Sequence, residues 1–127
     1  MKFIGIPVTG GIALAVSASI MTPALAHHSF AMFDQTKVVE RARATVSEFR
    51  FTNPHSFVVV NVQEGGAVTR YVFECSSVNM LDRAGWKFNT LKAGDKVDVT
   101  FYPLRNGKPG GMLKTIKVAD GRTLKGW

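Results

Sequence analysis

The chain carries one cysteine, Cys75, and three histidines among its 127 residues. A lone thiol excludes an intrachain disulfide even in an oxidising compartment, so packing alone must hold the fold. Acidic residues are scarce as well, 9 Asp and Glu against 16 Lys and Arg, for a formal net charge of +7. Asp34, Glu48, Glu74, Asp95 and Asp98 form no recognisable carboxylate pair, since Asp95 belongs to a "KAGDK" turn and Asp98 is expected to face solvent. That leaves no basis for paired acid–base catalysis. The sequence also lacks internal repeats, low-complexity tracts and linkers, which argues against a repeat array or a multidomain chain.

Long apolar stretches are absent except at the start. Lys2 precedes the run "FIGIPVTGGIALAVSASIM", and Ala24-Leu25-Ala26 has the A-x-A form that signal peptidase accepts. Residues 1–26 therefore read as a removable export signal. A membrane anchor fits less well, because Pro7, Gly10 and Gly11 interrupt the run and no positive cluster follows it. Cleavage would deliver a periplasmic chain beginning at His27, with no transmembrane segment. Removing 26 of 127 residues leaves 101, which suffices for one domain: an arm at 27–37 and a barrel at 38–127. Lys2 is the only charge in the signal, so the remainder carries 15 basic and 9 acidic residues.

A basic domain can attract nucleic acid, anionic lipid or an acidic partner. Here the Lys and Arg residues are scattered singly among acids, and export would remove the chain from cytoplasmic nucleic acid. No nucleic-acid partner is expected. A small ligand, an anionic envelope surface or an envelope protein is the expected partner class.

What is present reads mainly as strands. In "ARATVSEFRF", Ala42, Ala44 and Val46 share one phase, while Phe49 and Phe51 share the other. The inward face must switch near Ser47 and Glu48, by a bulge or by a strand long enough to serve two neighbours. "NPHSFVVVNV" is rich in β-branched residues, as a strand buried on most of its surface should be. Glu64-Gly65-Gly66 suits a tight reversal into a third strand that places Tyr71, Phe73 and Cys75 on one side. In "SSVNMLDRAGW" either Ser76 or Ser77 can cap a short helix, with Val78 and Leu81 at helical spacing and Gly85 placed to end it. "KVDVTFY" then alternates, with Val97, Val99 and Phe101 inward, and Asn106-Gly107 signals a hairpin into "LKTIKVA". The order is β-β-β-α-β-β, which predicts an all-β protein with one short helix. Its expected architecture is an OB-like, five-stranded, partly open barrel; a different small β-sandwich has the same strand order.

"AHHSFAMFD" after the signal, "NPHS" opening a strand, and the ordered stretches RAGW, LKAGDKV and P-x-R-x-G resemble a family of small exported bacterial proteins of unknown function. The resemblance spans essentially the whole chain after the signal. It implies export and a small β-barrel or sandwich, and it implies no activity.

The histidines are the sharpest chemical feature. His27 and His28 stand at the expected processed start, and His55 stands at the mouth of a strand. A free N-terminal histidine can chelate a divalent metal through its α-amino and ring nitrogens, and further imidazoles can complete a nitrogen set that favours Cu(II) over Zn(II). His27, His28 and His55 are thus candidate metal ligands, with copper as the expected ion. The plainer alternative is a solvated histidine pair at a terminus and a His55 that serves a turn.

Cys75 alternates with Tyr71 and Phe73, which favours a buried small apolar residue over a soft ligand or reactive thiol. Met32, Met80 and Met112 suit Cu(I) chemically but are not clustered in sequence. A Ser29, His55, Asp34 set has no support from spacing, so no catalytic residue is assigned. Most aromatics are expected to fill the core, with Trp86 and Phe88 covering a barrel end. Phe30 and Phe33 are placed to pin the arm to the barrel and so to position His27.

The expected function is ligand binding rather than catalysis, by a periplasmic barrel with a copper-type site. The main alternative is a module whose basic face, including Arg105, Lys108, Lys114 and Lys117, takes an anionic ligand, an envelope surface or a protein. An oxidative copper enzyme ranks last, because so small a chain offers little extended substrate surface.

Overall fold

A computed structural model of the protein describes Gly5 and residues 30–127; His27, His28, Ser29 and nearly all of residues 1–26 lie outside the described residues. Six strands and one helix follow in the order β1 (Val39–Arg50), β2 (Ser56–Glu64), β3 (Ala67–Cys75), α1 (Val78–Arg83), β4 (Lys96–Pro103), β5 (Gly110–Lys117) and β6 (Thr123–Lys125). Among the described residues, no helix is long and apolar enough to cross a membrane.

The first strand does two jobs. Its N-terminal part, from Val39 to Thr45, pairs with β4, while Thr45 to Arg50 pairs with β2. The expected switch of inward face is present as a register shift between Val46 and Glu48. A second shift, between Arg41 and Ala44, was not legible in the pattern. Arg43 adopts φ 53° there, and its N–H donates to Asp98 Oδ1 at 2.8 Å. Each shift moves the alternation to the opposite face. Ala44 and Val46 are therefore buried, whereas Ala42, expected inward with them, is exposed.

Gly65 and Gly66, at φ 54° and 82°, form the two-residue turn that sets the β2–β3 register, with Glu64 opposite Ala67 and Ser56 opposite Cys75. Positive φ at both positions matches the right-handed twist of the flanking strands and favours glycine. The antiparallel order β3-β2-β1-β4-β5-β6 is closed by a parallel pairing of β3 with β5. This closing contact is short: Val72, Phe73 and Glu74 stand opposite Gly110, Gly111 and Met112. The five strands β1 to β5 thus make the expected OB-type barrel. The sixth, β6, was not read from sequence; it pairs with β5 and buries Leu124.

Inside the barrel, Val58, Val60, Phe73, Val97, Val99, Phe101, Leu113 and Ile116 are all buried. Tyr71, Phe73 and Cys75 share the inward face as their alternation predicts. One end is plugged by α1. Ser77 caps it by accepting from Met80 N–H, and Leu81 and Trp86 enter the core, where Trp86 packs 5.6 Å from Phe49. Phe88 does not help to cover that end; it is 78% exposed. The backbone leaves the barrel after Trp86 in a turn closed by Thr90 N–H to Lys87 O and Lys87 N–H to Thr90 Oγ1, which carries Phe88 into solvent. At the other end, Glu64 Oε1 accepts from Arg41 Nε at 2.6 Å and from Tyr71 Oη at 2.7 Å.

Candidate functional site

The candidate site is assembled around the loop that ends β1 and opens β2. Ser56 is fully buried because its hydroxyl closes the loop, donating to Thr52 O at 3.0 Å and accepting from Thr52 N–H at 3.1 Å. Thr52 Oγ1 in turn donates to His55 O at 2.8 Å, so Thr52 holds both the His55 backbone and the Ser56 side chain in the loop. Asn53 Oδ1 accepts from Val78 N–H at 2.9 Å and ties the loop to the start of α1. Buried polar groups with satisfied partners make such a loop rigid.

Two side chains then flank the His55 ring. Its Nδ1 stands 2.6 Å from Glu74 Oε1. Its face meets Trp127 in an edge arrangement, ring centroids 5.4 Å apart. Trp127 is itself anchored, because Nε1–H donates to Glu74 O at 3.1 Å and the neighbouring Gly126 bonds both Ser76 N–H and Lys114 O. Burial raises the pKa of Glu74, an effect that the adjacent His55 charge opposes.

The arm reaches the same ring. Phe30 packs edge-on against Trp127 with centroids 5.1 Å apart. Beyond it, Phe33 is 3% exposed and bridges to Leu104, Asp34 N–H donates to Pro103 O, and Arg105 bonds the Met32 and Ala31 carbonyls. Phe30 and His55 therefore share one indole. His55 is the one sequence-assigned ligand that falls within the described residues; His27 and His28 precede Phe30 and are outside them. Among the described residues, no three His, Cys, Asp or Glu side chains converge on a metal-sized space.

The other candidates do not join the His55 ring. Cys75 is fully buried, and burial followed by the Glu74 charge raises its pKa far above the usual thiol range, so it is inert packing. Met112 is in the core, while Met32 and Met80 are half exposed. Asp34 is committed to Thr36 and Lys37 rather than to His55. Asp98 and Asp95 accept from the Arg43 and Lys92 backbone.

Sequence reasoning left Glu74 without a partner and gave Trp127 no role. A signal for Glu74 did exist. Counting back from the Gly65-Gly66 turn pairs Ser56 with Cys75, which puts His55 diagonally across the strand pair from Glu74. Nothing local marks Trp127, because β6 delivers it.

No curated protein and no solved structure matches the chain. A family model matches residues 15–114, which include the His27-His28 pair, the His55 loop and the β3–β5 closure. The chain belongs to that family, a family of unknown function designated DUF6152.

Proposed function

We propose that this protein is an exported, periplasmic binding protein of OB-barrel form. In this reading the processed N-terminus at His27 joins His28 and His55 in holding a divalent metal of copper type. The supporting observation is the shared indole: Phe30 and His55 both rest on Trp127. His27 stands three positions before Phe30, a span of at most ~11 Å in extended chain, and this short tether supports a reading in which an amine freed at His27 reaches the His55 ring. An α-amine and imidazoles make an all-nitrogen donor set, which ranks Cu(II) above Zn(II) in affinity. In this reading the protein binds its ligand rather than transforming it.

The test starts with the intact mass of the exported protein, expected to correspond to a chain that begins at His27. Titration with Cu(II) should then show one equivalent taken up tightly. One extra residue before His27, or His55→Ala, should weaken uptake at least tenfold. Uptake indifferent to both changes, or a different first residue, overturns the reading.

A further inference from the structure

The contact between His55 and Glu74 carries a consequence for which ring nitrogen the site offers. A nitrogen and an oxygen only 2.6 Å apart repel through their lone pairs unless a proton lies between them. Glu74 is well placed to accept a hydrogen bond from that proton on Nδ1. Its side chain is 16% exposed, it rises from β3 one position before the strand's end, and its own carbonyl is engaged by Trp127 Nε1–H. Trp127 lies against the imidazole ring, and Thr52 holds the backbone carbonyl of the same residue.

We propose that Glu74 is a positioning residue that engages Nδ1 of His55 and so presents Nε2 as the nitrogen for a ligand. This rests on the metal reading for the identity of the ligand, but the orientation of the ring is a property of the protein without metal. An imidazole with a carboxylate on one nitrogen has a fixed tautomer and a more basic second nitrogen, the arrangement that metal-binding histidines commonly use. Glu74 itself does not ligate.

Long-range proton–nitrogen spectra of the metal-free protein, labelled at histidine, read the tautomer directly. Neutral His55 should carry its proton on Nδ1. Glu74→Ala should shift it toward the Nε2–H form that dominates in free histidine, and Glu74→Gln, whose amide oxygen still accepts a hydrogen bond, should retain much of the native tautomer. In a Cu(II) titration, Glu74→Ala should weaken binding about 10- to 100-fold and Glu74→Gln less. A native His55 protonated on Nε2, or a tautomer unchanged in Glu74→Ala, overturns the proposal. Should Glu74→Ala fail to fold, the native and Glu74→Gln spectra decide. If the native protein takes up no Cu(II), the metal reading fails while the tautomer still decides the role of Glu74.

Discussion

The His55 imidazole meets the Trp127 indole edge to face, ring centroids 5.4 Å apart, although one residue opens β2 and the other follows β6. Their contact joins the loop before β2, the segment after β6 and, through Phe30, the N-terminal arm. Each element supplies one ring, and removing the central ring should release the other two.

Trp127→Ala is expected to lower stability by about 2 kcal/mol, from two aromatic contacts and one hydrogen bond. The loss should be local as well as global. Hydrogen exchange at the Phe33 and Asp34 amides, which bond Phe30 O and Pro103 O, should accelerate more than exchange in β2. Equal acceleration in both places would show that the arm is not held through Trp127.

Barrel closure depends on Gly110. It sits at φ +137°, and a Cβ there would stand 2.2 Å from Val72 O, a backbone atom that cannot yield without breaking the β3–β5 pairing. Gly110→Ala should cost roughly 3 kcal/mol or more through strain and overpacking. Gly94→Ala is the control: it has φ +94° but open space around the added carbon, and backbone strain of about 1–2 kcal/mol is all it should cost. Urea unfolding of the two variants compares them, and equal midpoints would contradict the closure argument.

Asp34 holds the turn at the root of the arm. Hydrogen bonding from Thr36 and then Lys37 lowers its pKa from 3.8 to about 2. Because the folded value lies below the ordinary one, its stabilising contribution is fully present above about pH 4. That contribution fades as pH falls through 3.8 and is lost below about pH 2. An NMR titration of the Asp34 carboxyl should show a midpoint near 2, moved upward in Thr36→Val. A midpoint that does not respond to Thr36→Val would disprove the assigned cause.

Cys75 should resist a thiol reagent at pH 8 in the folded protein and react fully once the chain is unfolded. Its burial excludes the reagent and disfavours the thiolate together. Rapid labelling of the native protein would mean that the β3 end opens far more readily than its packing implies.

Periodicity and turn chemistry carried most of the barrel. Tyr71, Phe73 and Cys75 alternate inward, and Gly65-Gly66 makes the turn expected of it. The phase change at Ser47 was visible because it flips large apolar residues, Val46 to Phe49. The shift at Arg43 was hidden, since the residues around it are alanine and arginine, whose patterning says little about face. For the site, His55 and its strand-mouth position were legible, and Glu74 was recoverable from hairpin register.

The sequence by itself determined the order of the first five strands and the helix, a serine cap at Ser76 or Ser77, the Gly65-Gly66 turn and the inward face of Cys75, because each depends on residues close together in the chain. Only the tertiary structure decided that β3 closes on β5, that Phe88 faces solvent, and that Phe30 and His55 converge on Trp127. Those outcomes come from contacts between distant segments, where twist, register and the room left by Gly110 select the partner and no local pattern records the choice.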